Sequence, residues 1–223
     1  MAFDFQPQVM LETAPLLVEG LRLTIFITLA GLAFGFVLGA LGGLAKTGTN
    51  KLANTVANIY VEFIRGTPLI VQVMFLYFGV PLATGMRIPP ETAGILAIAF
   101  NSGAYISEIV RGAIESVDVG QAEAGRSIGL SRLQTMLYIV WPQAFRRMIP
   151  PLGNQFIISL KDTSLLVVIG VGELTRQGQE IIAVNFRAFE VWLTVAAFYL
   201  VMTLGIARAL SLYERRLNAR GKR

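Results

Sequence analysis

The sequence contains no cysteine and no histidine, and it is poor in charged residues. Without thiols and imidazoles, the chain can form no disulfide and no typical zinc site, and it cannot use Cys- or His-based catalysis. Charged residues make up 15% of the chain, whereas a soluble globular domain carries about 25%. Because 54% of the residues are hydrophobic and fall in continuous runs, the sequence predicts an all-α polytopic membrane protein, not a barrel with alternating polarity.

Five apolar stretches are predicted to cross the membrane within one transmembrane domain of 223 residues (1–223). A helical span needs about 20 residues to cross a hydrocarbon core of roughly 30 Å. The predicted spans are 16–44, 67–82, 91–112, 147–171 and 191–210. Residues 1–14 are expected to form a short interfacial segment. Pro68 is expected to separate the second span from an interfacial helix ending near Gly66.

Small residues line one face of the first span. Gly31, Gly35, Gly39 and Gly43 recur at every fourth position, which places them on the same side of a helix. Membrane helices use such faces to approach one another closely. We therefore expect another helix of the chain to pack against this face.

Basic residues are distributed unequally between the two sides of this arrangement. One side holds Lys46, Lys51, Arg111, Arg126, Arg132, Arg146, Arg147, Arg215, Arg216, Arg220, Lys222 and Arg223, and the other holds Arg22, Arg87, Arg176 and Arg187. The excess of basic residues normally faces the cytoplasm. The N-terminus is therefore predicted outside and the C-terminus inside. This distribution accounts for the net charge of +5 without a nucleic-acid partner.

Polar residues inside two predicted spans are candidates for a substrate site. The fourth span contains Lys161, Asp162 and Thr163, and it also carries Gln155. The third span contains Asn101 and Ser102. A charge at mid-membrane costs at least about 2.5–3.5 kcal/mol, so such residues need a reason to be there. One reason is a small zwitterion, with Asp162 for its ammonium and Lys161 or hydroxyl groups for its carboxylate; the alternative is a structural role.

Two ion pairs are expected near the inner ends of the helices. Glu108 and Arg111 are three residues apart on one helix and can pair. Arg65 is expected to extend to the interface or to pair with Glu62.

An amphipathic basic segment, residues 118–142, lies between the third and fourth spans and is predicted to be cytoplasmic. Its apolar residues recur at helical spacing. Gly129 is expected to make a turn, Ser131 to cap the following helix, and that helix to stop at Trp141-Pro142. From these features alone, the segment is either a contact for a soluble partner or a helix lying on lipid.

The spacing in this segment resembles a known family signature. Glu123-Ala124-Gly125, then Gly129, Ile139 and Trp141-Pro142 look like the EAA motif of ABC importer permeases, E-A-A-x3-G-x9-I-x-L-P. Gly125 stands where alanine is usual, and Trp141 where leucine is usual. From about residue 13 to the end, stretches such as FIRGTPLIVQ, NSGAYISEIVRGA, KDTSL and ELTRQGQEI resemble the polar amino-acid uptake family.

The resemblance implies the fold of a type I ABC importer permease in the bacterial inner membrane. Such a permease works with a second permease subunit, which is either a copy of itself or a related chain, with cytoplasmic ABC ATPases and with an extracytoplasmic amino-acid-binding protein. Glu123, Ala124, Gly125 and Gly129 would couple the chain to the ATPase. ATP and magnesium would bind that ATPase, so this chain would be non-catalytic and would hold no cofactor or metal. The implied substrate is a polar amino acid, glutamine first, with glutamate, arginine, histidine or cystine as alternatives.

Two other classes of function compete with this interpretation. A channel or secondary transporter would work without an ATPase, and a cytoplasmic coupling segment argues against it. An intramembrane enzyme would depend on Asp162 and Lys161 alone, because the chain has no thiol or imidazole.

Overall fold

The computed structural model describes the backbone of residues 4–220 and the side chains of residues 4–215. The side chains of Arg216, Arg220, Lys222 and Arg223 in the predicted basic tail lie outside this description. Residues 4–220 form helices α1 (Pro7–Thr47), α2 (Lys51–Arg65), α3 (Leu69–Thr84), α4 (Pro90–Glu115), α5 (Val119–Ser127), α6 (Arg132–Ile169), α7 (Leu174–Asn185) and α8 (Ala188–Arg220). The described part of the chain is helical, as its composition predicts.

Four helices are long and apolar enough to cross a membrane, namely α1, α4, α6 and α8. The pair α2–α3 adds a fifth if the two are counted as one broken span; their axes meet at 103°. The helix boundaries differ from the prediction in α1, which begins at Pro7 and runs through Pro15 without a break. The first turn of a long helix therefore starts inside the segment that was expected to be interfacial.

The glycine face of α1 packs against α4, as expected. All four of its glycines are buried. A Cβ atom built on Gly43 would lie 2.5 Å from Cβ of Val110, and one on Gly31 would lie 2.8 Å from Cβ of Ile98. Carbon atoms normally stay about 3.5–4.0 Å apart. At this distance between the two helices, a side chain at either position would collide with α4.

Two of the prolines inside the helices follow closely on a π-helical turn. The turns span Phe75–Gly79 in α3 and Met136–Val140 in α6, and they precede Pro81 and Pro142. In each turn the N–H before the proline donates to a carbonyl five residues back, Val80 to Phe75 and Trp141 to Met136. In an α-helix, the proline ring clashes with the carbonyl four residues earlier, and proline has no N–H to donate to it. The wider π-helical turn accommodates both effects.

The predicted stop at Trp141-Pro142 is therefore wrong. Helix α6 continues through both residues, and also through Pro150 and Pro151, until its last turns tighten to 3₁₀ geometry at Thr163–Ile169. The predicted segment 118–142 and the predicted fourth span 147–171 thus share one continuous helix.

A buried carboxylate fixes the start of α7. Glu173 is fully buried and accepts hydrogen bonds from the N–H groups of Thr175 and Arg176 at 2.9 Å each, and from the hydroxyl of Tyr199 at 3.1 Å. Burial raises the pKa of the Glu173 carboxyl, and the three hydrogen bonds oppose that rise. The hydrogen bond from Tyr199 connects the start of α7 to α8.

Candidate functional site

A polar cavity of about 500 Å³ opens where α2 gives way to α3. Its walls come from this break, from α4 and from α6. It is lined by Arg65, Gly66, Thr67, Pro68, Leu69, Asn101, Tyr105, Gln155, Ile158 and Asp162. The structure thus brings three of the six predicted substrate residues, Asn101, Gln155 and Asp162, into one cavity.

Asn101 on α4 and Gln155 on α6 contribute two nearly buried amides to this cavity. The Asn101 amide nitrogen donates to Oε1 of Gln72 at 3.3 Å, and the Gln155 amide nitrogen donates to Oγ of Ser159 at 3.2 Å. The oxygen atoms of both amides accept no hydrogen bond from a described residue. The amides therefore offer the cavity two hydrogen-bond acceptors.

Asp162 supplies the carboxylate of the cavity. It is the last residue of α6 before the 3₁₀ turns, and it makes no hydrogen bond or salt bridge with a described side chain. No group of three or more acidic side chains that could hold a metal ion occurs among the described residues.

The structure places the other three predicted substrate residues elsewhere. Ser102 is buried between helices, where it donates to the carbonyl of Ala99 at 3.4 Å and faces the glycine face of α1. Thr163 is fully buried and donates to the carbonyl of Leu160 at 2.7 Å. Lys161 is exposed and does not line the cavity. Neighbouring helix residues point about 100° apart, which separates Lys161 from Asp162.

Arg65 is a residue of the cavity that the sequence did not predict as a ligand contact. Of its two predicted alternatives, the pairing with Glu62 is wrong, because the guanidinium faces α4; extension to the interface stays a prediction. The guanidinium lies 5.2 Å from the ring centroid of Tyr105 and 3.8 Å from Oε2 of Glu108. The available signal in the sequence was an arginine placed directly before a Gly-Thr-Pro helix break.

The expected pair of Glu108 and Arg111 is confirmed, with two hydrogen bonds of 2.7 and 3.2 Å. Glu108 also accepts a hydrogen bond from Lys46 of α1. The cluster joins the C-terminal parts of α1 and α4 beside the cavity.

The predicted coupling segment forms α5, a tight turn and the start of α6. Gly129 makes the turn with φ of +91°, a conformation that side chains disfavour. Ser131 then caps α6: its hydroxyl accepts from the Gln134 N–H, and the Gln134 side chain accepts from the Ser131 N–H. The turn and the cap are as the sequence predicts, and Glu123 and Ala124 lie exposed on α5.

Gly125 lies at the contact between α5 and α6. A Cβ atom there would lie 2.5 Å from Cδ1 of Ile139 and 3.3 Å from Cγ2 of Thr135. This close packing accounts for glycine at a position where the related signature usually has alanine.

The coupling segment also exposes large apolar side chains. Val119, Ile128, Leu133 and Tyr138 are each about two thirds exposed or more, at 71, 78, 67 and 70%. An apolar surface of this kind, rimmed by polar residues, marks an interaction site. The fold and these two sites define the class: a multi-pass membrane transport protein with a polar cavity and a separate contact surface.

Comparison with known proteins identifies the family within that class. The family model described as the binding-protein-dependent transport system inner membrane component matches residues 31–219. The glutamine transport system permease protein of Escherichia coli strain K12 is 56% identical over 204 residues, which cover 91% of this chain and 93% of that protein. The L-cystine transport system permease protein TcyB of Bacillus subtilis strain 168 is 38% identical over 205 residues, covering 92% and 87%.

Solved structures agree with this result. A crystal structure of an amino acid ABC transporter with histidines matches with a TM-score of 0.90 and 43% identity, covering 97% of this chain and all of that chain. An inward-facing form of the MetNI methionine ABC transporter matches with a TM-score of 0.78 and 22% identity, covering 92% and 97%, and shows the shared fold. The chain therefore belongs to the family of binding-protein-dependent inner-membrane transport components, and it is a multi-pass permease subunit. The expected fold class of an ABC importer permease is confirmed.

Proposed function

We propose that this permease imports polar amino acids, with glutamine as its substrate, as part of an ATP-binding-cassette importer. The observation that carries the proposal is the cavity that holds Asp162 with the amides of Asn101 and Gln155. It occurs in a chain that is 56% identical to a glutamine transport permease. A channel has no need of a coupling segment or of a binding protein, so an ATP-driven importer accounts for more of the structure.

The chemistry of the cavity favours a ligand rich in N–H donors. Asp162 and the two amide oxygens are acceptors, and an ammonium or a carboxamide NH₂ can donate to them. A glutamate side chain would bring a second carboxylate close to Asp162, and like charges in one site repel. The cavity therefore favours glutamine over glutamate, and arginine, histidine and cystine remain alternatives.

In the proposed mechanism, the coupling segment transmits ATP-driven movement. Exposed Glu123 would pair with a basic group of a cytoplasmic ABC ATPase, and the apolar side chains around Gly129 would fill a groove of that ATPase. ATP and magnesium would bind the ATPase and not this chain. A second permease copy would complete the translocation path, and an extracytoplasmic binding protein would deliver the amino acid. This arrangement requires the N-terminus outside and the C-terminus in the cytoplasm.

The decisive experiment is ATPase stimulation in the complete complex reconstituted in proteoliposomes. We expect glutamine-loaded binding protein to stimulate hydrolysis and ATP-dependent glutamine uptake. Asp162→Asn keeps the size of the side chain but removes its charge. Loss of a hydrogen bond to a charged group is worth about 1.5–3 kcal/mol, so uptake at low substrate should fall roughly 10- to 100-fold, with basal hydrolysis retained.

Two results would contradict the proposal. Uptake that persists without ATP would indicate a channel or secondary transporter. Uptake by Asp162→Asn equal to that of the unchanged complex, with the same preference among amino acids, would remove Asp162 from the substrate site.

A further inference from the structure

We propose that Arg65 binds the α-carboxylate of the transported amino acid, in the same cavity that holds Asp162. Arg65 would then be the specificity-determining residue that requires a free α-carboxylate on the substrate. This inference rests on the proposed function, because it assigns a role within the same cavity.

The position of Arg65 makes its guanidinium available to a ligand. Arg65 is the last residue of α2, directly before the 103° bend, and it lines the cavity. Its side chain is 44% exposed, and it donates no hydrogen bond to a described residue. The guanidinium lies over the ring of Tyr105, 5.2 Å from its centroid, and a cation–π contact of this kind is compatible with N–H groups that donate to a ligand.

The carboxylate nearest to Arg65 is shared with other cations. Glu108 is bound by Lys46 and by Arg111 at 2.7 Å, and its ion pair with Arg65 is longer, at 3.8 Å. Glu115 pairs with Arg111 at 2.5 Å. Three cations therefore share two carboxylates, and Arg65 holds the longest of these contacts.

The lining of the cavity consequently carries groups of opposite charge. Arg65 provides the cation and Asp162 the anion, and Asn101 and Gln155 add two amides to the same lining. This polarity matches an amino-acid zwitterion with a polar side chain. Lys161, the cation that the sequence predicted for the α-carboxylate of the substrate, does not line the cavity. Arg65 suits this role because a planar guanidinium can bind a carboxylate through two parallel hydrogen bonds.

The alternative is a structural arginine that only packs on Tyr105. The two roles differ in one measurable respect. A structural residue changes the binding of all ligands alike, whereas a carboxylate-binding residue changes the preference for ligands that carry the carboxylate.

The test measures binding to the permease–ATPase complex in lipid nanodiscs, without binding protein. Radiolabelled glutamine is displaced by glutamine or by glutaminamide, in which a neutral amide replaces the α-carboxylate. The variants are Arg65→Gln, Arg65→Lys and the control Arg87→Gln, which changes an exposed arginine in the turn between α3 and α4. The ratio of the two affinities is measured on one preparation, so a misfolded fraction does not alter it.

We expect the unchanged complex and Arg87→Gln to prefer glutamine over glutaminamide by roughly 10-fold or more, the value of a hydrogen bond to a charged group. Arg65→Gln should lose this preference through weaker glutamine binding, and Arg65→Lys should keep part of it. The assignment of Arg65 is overturned if Arg65→Gln keeps the preference for glutamine, or if the complex without substitutions binds neither ligand. The proposed function is tested separately, by stimulation of ATPase activity with loaded binding protein. If stimulation is normal, only the role of Arg65 is refuted; if stimulation is absent, the proposed function itself is refuted.

Discussion

Replacing Gly39 by alanine tests whether the contact between α1 and α4 depends on the absence of a side chain. The new Cβ atom would lie 2.5 Å from Cβ of Ile106 and 3.0 Å from the carbonyl oxygen of Gly103. Normal carbon contacts are about 3.5–4.0 Å, so the helices would have to separate by about 1 Å. Neither neighbour is the end of a flexible side chain, and both would have to move with their helix.

The expected magnitude follows from two opposing effects. Inserting an extra methyl group into a packed contact costs about 1–3 kcal/mol. Replacing glycine by alanine inside a helix gains about 1 kcal/mol. The control Gly112→Ala lies on α4 with no atom within 4 Å of the new Cβ, so it should show the gain without the cost. The difference between the two variants therefore isolates the contact.

The assay is thermal unfolding of both variants in the same detergent. A change of 1 kcal/mol shifts Tm by about 2–4 °C in a chain of this size. Gly39→Ala should therefore melt about 2–12 °C below Gly112→Ala. If the two variants melt together, or if Gly39→Ala melts higher, the close approach of α1 and α4 does not limit stability and the reasoning is refuted.

Two further predictions concern coupling and orientation. Glu123→Arg reverses the charge of an exposed residue on α5, so it should reduce stimulated ATPase activity and uptake by roughly 10-fold or more while membrane insertion, measured by yield in purified membranes, stays normal. Normal ATP-dependent uptake by this variant would remove Glu123 from the coupling contact. A reporter fused after Arg223 should be active only in the cytoplasm, because the basic residues lie on that side; an external signal would overturn the orientation.

Features that depend on local sequence were predictable. The four-residue spacing of glycines predicts a close helix contact, and α4 provides it. Pro68 predicts the break after α2, and the structure ends α2 at Arg65. The Gly129 turn and the Ser131 cap also follow from neighbouring residues, since both depend on backbone geometry within a few positions.

Features that depend on how the helices pack against one another were not predictable from the sequence. The sequence places Lys161 and Asp162 at the same depth, but only the packing of α6 decides that Asp162 faces the cavity. The partner of Arg65 depends on the direction of a 103° bend, and no neighbouring residue specifies that direction. Pro142 resembles a helix stop because a π-helical turn, which accommodates the proline, leaves no simple pattern in the sequence.

The continuity of α6 connects the two candidate sites mechanically. The helix starts at Arg132 in the coupling segment and reaches Asp162 in the cavity, which is about 45 Å at 1.5 Å per residue. We infer that movement at the coupling segment reaches the cavity along this helix and not through a flexible loop. The π-helical turn at Met136–Val140 lies next to the coupling end, and a bend there would move Gln155 and Asp162 relative to the walls of the cavity that α4 and the α2–α3 break provide.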